Sequence, residues 1–173
     1  MSGKIGWAVT GAGHLIEEIF EITDSLDNVD LFLSRAAEEV LKMYKVDIES
    51  LPHKIHREGH ASAPVTGKFS TGHYKGLIVA PASGNSVAKF VTGIADTLVT
   101  NIFAQAGKSR VPIIVFPTDV APEMESMGPS KKPVMVYPRS VDLDNTDKLA
   151  GFKGVTVVRS IDDLKTAVQE VTG

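Results

Sequence analysis

The chain contains no cysteine, which excludes disulfides, thiolate nucleophiles and any iron–sulfur cluster ligated by its own thiolates. Long apolar runs are missing too: nothing approaches the roughly 18 residues that a bilayer span needs. The opening Lys4-Ile5-Gly6-Trp7-Ala8-Val9 is too short for a signal peptide and lacks a small-residue cleavage pattern, so a cytoplasmic location and no membrane partner are expected. The net charge is −3 with Lys and Arg scattered, leaving no basic stripe to neutralise the phosphates of a nucleic acid. There are no internal repeats and no low-complexity tracts. Any electrons handled here must come from outside or from a bound organic cofactor.

What is present is an alternation. The 173 residues suit one domain, residues 1–173, with a sizeable core. Short continuous apolar runs occur at 4–9, 29–33, 77–80, 112–116, 134–137 and 155–158, each followed by turn residues, as in buried parallel strands. Between them, 15–22, 36–44, 87–106 and 161–171 carry helical spacing, with a break expected at Gly93. The expected fold is therefore α/β: a doubly wound, Rossmann-like (flavodoxin-like) parallel sheet with helices on both faces. Two stretches fall outside the pattern. Residues 49–73 hold four of the five histidines and read as an irregular excursion with at most one short strand, while 118–133 reads as a long loop or lid.

In an open parallel sheet, ligands bind beyond the carboxyl ends of the strands. The first such junction is Thr10-Gly11-Ala12-Gly13-His14, whose small residues let the backbone approach a ligand and whose following helix offers N–H groups to a phosphate. Glu17 stands near the third glycine position of a dinucleotide fingerprint, so the loop fits a mononucleotide phosphate or a plain tight turn. At the second junction, Ser34 can cap a helix or bond a ligand oxygen. The third, Pro81-Ala82-Ser83-Gly84-Asn85-Ser86, sets hydroxyl, glycine, carboxamide and hydroxyl in succession, suited to the polar edge of a heteroaromatic ring, beside a flat apolar wall.

That third junction, with Lys89, Thr92-Gly93-Ile94-Ala95-Asp96 and Leu98, resembles the Pro-Ala-Ser-Ala-Asn-Thr motif and trailing helix of the flavoprotein superfamily of FMN-binding cysteine decarboxylases and flavin prenyltransferase. The resemblance runs from the first strand through Pro117. It implies bound FMN, with Gly11, Ala12, Gly13, His14 and Ser34 at its phosphate and ribityl chain, and Ala82, Ser83, Gly84, Asn85, Ser86 and Thr118 around the flavin.

The departures bear on activity. Gly67 takes the place of the decarboxylases' catalytic histidine, with His73 and His60 out of register, and Pro117-Thr118-Asp119-Val120 replaces their Pro-x-Met-Asn. Thr118 and Val120 stand where the prenyltransferase carries arginine and glutamate, though Arg35 or Lys131 could reach a phosphate. The opening 5–14 and the Ser-Gly-Asn-Ser form of the flavin loop are closer to the archaeoflavoproteins and flavin-dependent dihydromethanopterin reductases. This branch implies an FMN-dependent oxidoreductase that reduces dihydromethanopterin or a related dihydropterin. An external donor, a ferredoxin-like protein or reduced nicotinamide, would supply the electrons. It also implies a homo-oligomer built on trimers, with 89–101 as a contact helix. The alternative is an FMN electron carrier fed by ferredoxin, and behind it transferase or lyase chemistry on the same fold.

His14 and Asp119 are the candidate catalytic residues: His14 for a flavin or pterin oxygen or a helix terminus, Asp119 for the amino-pyrimidine edge of a pterin or as a solvated loop acid. Asp96 reads as a bond to backbone or subunit. Met124 and Met127 read as an adaptable pocket wall and Met135 as core. No metal is expected, because Pro52 and Gly59 spoil any shared face for His53, His56 and His60.

Overall fold

The structure is a computed structural model that describes residues 3–59 and 64–173, and His60 lies outside the described residues. Six parallel strands form the sheet, in the order β3-β2-β1-β4-β5-β8. They are β1 (Lys4–Val9), β2 (Val29–Leu33), β3 (Lys54–Arg57), β4 (Tyr74–Ala82), β5 (Ile113–Pro117) and β8 (Val155–Val157). The helices are α1 (Ile16–Asp24), α2 (Arg35–Met43), α3 (Gly84–Thr92), α4 (Leu98–Lys108), α5 (Ser140–Ala150) and α6 (Ile161–Thr172). The chain steps from β1 through β2 to β3 on one side and returns at β4 on the other, so the order reverses between β1 and β4.

Side chains alternate across the sheet, and apolar residues on both faces give it two cores. Trp7, Val9, Leu31, Leu33 and Phe116 pack on one face against Ile16 and Ile19 of α1, Leu41 of α2, and Leu164 and Val168 of α6. Ala8, Phe32, Val79 and Val115 pack on the other against Phe90 of α3, Ile102 of α4 and Leu149 of α5. The expected doubly wound architecture is the one observed.

Three expectations are corrected. Residues 133–136 do not enter the main sheet: β7 (Pro133–Val136) pairs antiparallel with β6 (Met124–Met127) in a separate hairpin. All four β7 residues are exposed, including Met135 at 47 %, so Met135 is not core. That hairpin also gives the supposed long loop a structure of its own. The stretch after residue 49 supplies the one short strand allowed for it, the partly buried edge strand β3. Helix α5 was not foreseen because most of the residues it buries are polar, Asp142, Asn145 and Thr146 beside Leu149, so no apolar stripe marks it. The break at Gly93 is present: this residue ends α3 at φ 76°, where the absent Cβ removes the steric penalty. Among the described residues no helix is long and apolar enough to cross a membrane.

Candidate functional site

The reversal point is tied together by Thr10, which is 1 % exposed. Its hydroxyl donates to the Pro81 carbonyl at 2.8 Å and accepts the Ser83 amide at 2.8 Å, while its own amide donates to Pro81 at 3.2 Å. The ends of β1 and β4 are thus held in one frame. Thr118 extends it on the far side by donating its amide to the Ala82 carbonyl at 3.0 Å.

Three of the helices that begin at this end of the sheet gather around the reversal point, each behind a hydroxyl residue that has extended backbone and accepts an amide of the first turn. Ser34 accepts from Ala37 at 3.0 Å, Ser83 from Ser86 at 3.3 Å, and Thr97 from Thr100 at 3.1 Å. The first amide of each helix meets a carboxylate. Glu58 takes the Arg35 amide at 2.9 Å and the Leu98 amide at 3.3 Å, and Asp119 lies against the Gly84 amide. The second amide of each, at Ala36, Asn85 and Val99, finds no protein partner among the described residues. All three of these residues line one cavity of about 510 Å³, together with Gly11, Ser34, Ser83, Ser86 and Lys89. Amides at three positive helix ends, without a partner among the described residues and belonging to residues that line one cavity, fit an anionic group such as a phosphate. A methyl at Gly11 would stand 2.5 Å from the Ala36 Cβ, so the loop can lie this close to α2 only as glycine.

The predicted residues divide between two cavities. Gly11, Ser34, Ser83, Asn85 and Ser86 face the larger one. Ala12, Gly13, His14, Thr118 and Asp119 instead line a neighbouring cavity of about 200 Å³, with Tyr44, Met124, Ser126 and Val136. Ala82 is fully buried at the end of β4, behind this loop. The helix expected to meet a phosphate is also corrected: α1 starts later, at Ile16, behind a left-handed Leu15, and its first turn carries Glu17 and Glu18. The helix ends on the larger cavity are those of α2, α3 and α4. Thr10, Glu58 and the α4 start were not singled out from sequence; the serines and threonine before each helix were the available signal.

The hairpin walls the smaller cavity and is fastened at several points. His14 Nδ1 and Ser126 Oγ share a hydrogen bond at 3.1 Å, the Tyr44 hydroxyl donates to the Met127 carbonyl at 2.8 Å, and Lys131 pairs with Glu17. Burial lowers the His14 pKa, partly opposed by Glu18 and Asp119. Burial and the neighbouring Asp142 raise that of Asp119. Lys89 is paired with Asp96 at 2.8 Å, so the Asp96 carboxylate serves this side chain as well as its own backbone amide. Among the described residues no group of His, Asp and Glu is arranged to hold a metal ion.

A parallel sheet with its order reversal framed by a buried threonine, and phosphate-ready helix ends around it, defines an α/β protein for a phosphate-bearing cofactor. The chain belongs to the Flavoprotein family, whose model matches residues 2–173. Its fold matches that of Burkholderia xenovorans DmrB, solved with FMN and described as a cubic protein cage for redox transfer: TM-score 0.90, 40 % identity, covering 98 % of this chain and 94 % of that one. A dihydromethanopterin reductase (acceptor) of Methanocaldococcus jannaschii is 44 % identical over 131 residues, 67 % of this chain and 53 % of that protein. An uncharacterised protein of the same organism is 38 % identical over 95 % of this chain and 94 % of its own length. The chain thus spans about half the length of the matched reductase.

Proposed function

We propose that this flavoprotein is an FMN-dependent oxidoreductase whose substrate is dihydromethanopterin or a related dihydropterin. The carrying observation is the pair of adjoining cavities, one with the amides of Ala36, Asn85 and Val99 that find no partner among the described residues, the other with His14 and Asp119. The names of the matched reductase and of the FMN-bound DmrB support the same assignment.

The three amides and Ser34 would hold the FMN phosphate, Gly11 would admit its chain, and Ser83 and Ser86 would border the rest of the cofactor, with Ala82 buried behind them. When bound, FMN supplies the capacity to take up two electrons and pass them on as a hydride. The protein's part is binding and orientation. Ser83, positioned by Thr10, presents the flavin loop, while Thr118, His14 and Asp119 face the side where a flat heterocycle can enter. Met124 gives that side an adaptable apolar wall. An external donor, a ferredoxin-like protein or a reduced nicotinamide, supplies the electrons in the cytoplasm. The exposed apolar residues Val134, Met135 and Tyr137 support contact between copies of the chain, and we propose that the assembly is built on trimers.

The test is anaerobic. Purified protein shows a flavin absorption spectrum, bleaches on reduction, and regains colour when dihydromethanopterin is added, with the tetrahydro product formed. Recovery only with an oxidised redox protein would replace this reading with an electron carrier. Protein that takes up no FMN would end both.

A further inference from the structure

Reduction of a dihydropterin's imine adds a hydride to carbon and a proton to nitrogen, and the proton must come from the protein or from solvent. The smaller cavity contains two groups able to handle it. Asp119 and His14 line the same space of about 200 Å³, which the hairpin residues Met124, Ser126 and Val136 wall on one side. Asp119 also borders the flavin loop directly, since a methyl on Gly84 would collide with its Oδ2. Among the described residues no cation is bonded to its carboxylate: the guanidinium of Arg139, whose charge reaches it, is bound to Asp142 at 2.8 and 2.7 Å.

Resting on the dihydropterin reading, we propose that Asp119 is the general acid of the reaction and His14 its link to solvent. As the imine carbon accepts a hydride from the reduced flavin, the imine nitrogen takes the proton from an Asp119 oxygen. The ionised Asp119 then regains a proton through His14. The substrate gains one hydride and one proton, the flavin loses the hydride, and the net consumption is one proton from solvent.

The surroundings favour that role. Burial and the charge of Asp142 on α5 push the Asp119 carboxyl up, against the Gly84 amide, Arg139 and His14. Asp142 is itself held ionised by Arg139. Burial weakens the hold of His14 on a proton, with Glu18 and Asp119 opposing. The carboxyl moved up and the imidazole moved down are brought closer in proton affinity, which suits the transfer of a proton between them.

The experiment uses FMN-loaded protein reduced with dithionite and mixed with dihydromethanopterin or, separately, ferricyanide. Asp119→Asn slows reoxidation by the pterin about 100-fold or more, the range for loss of a general acid, while reoxidation by ferricyanide, which takes electrons without protonation, keeps its rate. Asp119→Glu recovers part of the pterin rate. Carbon-13 NMR of the oxidised FMN-loaded protein shows the Asp119 carboxyl titrating above the usual aspartate range, and Asp142→Asn brings it down. A wild-type pterin rate in Asp119→Asn, or a carboxyl that titrates normally, overturns the proposal and leaves the reductase reading standing. Wild-type protein that the pterin cannot reoxidise overturns the reductase reading and this proposal with it.

Discussion

The hydroxyl of Thr10 holds the amide of Ser83 at 2.8 Å across the two strand ends where the sheet order reverses. Because Thr10 is buried, removing the hydroxyl leaves the Pro81 carbonyl and the half-buried Ser83 amide without this partner. Thr10→Val, nearly the same in shape, is expected to cost about 1–3 kcal/mol of stability. It also weakens FMN binding, because Ser83 begins the helix that presents Asn85 and Ser86. Urea unfolding and titration of flavin fluorescence measure the two effects, and Thr10→Ser restores most of both.

Gly11 and Gly67 make a matched pair for a second test. An alanine Cβ at Gly11 would meet the Ala36 Cβ at 2.5 Å, whereas one at Gly67 would meet nothing within 4 Å. Gly11→Ala is expected to lose about 1–3 kcal/mol by overpacking and to bind FMN poorly, because loop and α2 must separate. Gly67→Ala should change stability by no more than about 0.5 kcal/mol and leave FMN binding intact. Thermal melts with and without FMN separate the cases.

These contrasts also show how far the sequence could be read. Strands β1 and β2 were legible to the residue because both faces are apolar, and α2 and α6 nearly so because their apolar residues recur at helical spacing. The run 134–137 misled because apolar continuity reports hydrophobicity, not burial, and β7 spends it on an exposed hairpin face. In the site, Ser34 and the Ser83-to-Ser86 segment were legible from local chemistry. The division of the first loop between two cavities was not, because it depends on where Ser126 and Tyr44 meet it, residues distant in sequence. Glu58 was invisible for the same reason: its partners at Arg35 and Leu98 are 23 and 40 positions away.

Stability should respond to pH through a cluster at the opposite end of the sheet. Burial opposes the charge of Asp30, but hydrogen bonds from Lys4 at 2.6 Å and Tyr74 at 2.8 Å, with the charges of Lys4 and His56, hold its carboxyl below the ordinary 3.8. His56 is held below 6.5, chiefly by burial; it stacks on Phe32, and its Nε2 stands 3.6 Å from Asp30 without a hydrogen bond. Both groups bind protons more weakly folded than unfolded, so their contributions are present above the ordinary values and lost on acidification. The first loss begins as pH falls below 6.5 and the second below 3.8. Tyr74 is pushed up by burial and by Asp30, so its contribution is full below 10 and is lost at higher pH. Denaturant unfolding across pH should therefore trace a dome. His56→Phe, which keeps the stacked ring, should flatten the limb just below 6.5, and an unchanged limb would show that another group causes it.

The hairpin is expected to govern substrate affinity more than stability. Its strand β7 buries nothing, and its ties to the rest of the chain are polar: Ser126 to His14, the Met127 carbonyl to Tyr44, and Lys131 to Glu17. The exposed Lys131 pair is worth little and weakens with salt. Tyr44→Phe removes one hydrogen bond at an exposed place, a cost of about 1 kcal/mol or less. The same change loosens the wall of the His14–Asp119 cavity, and Ser126→Ala loosens it from the other strand. Amide hydrogen exchange over 124–136 should accelerate in both variants and most in the double variant, with dihydropterin binding weakened in the same order while FMN binding holds. Unchanged exchange in the double variant would mean that contacts between copies of the chain, rather than these ties, fix the hairpin.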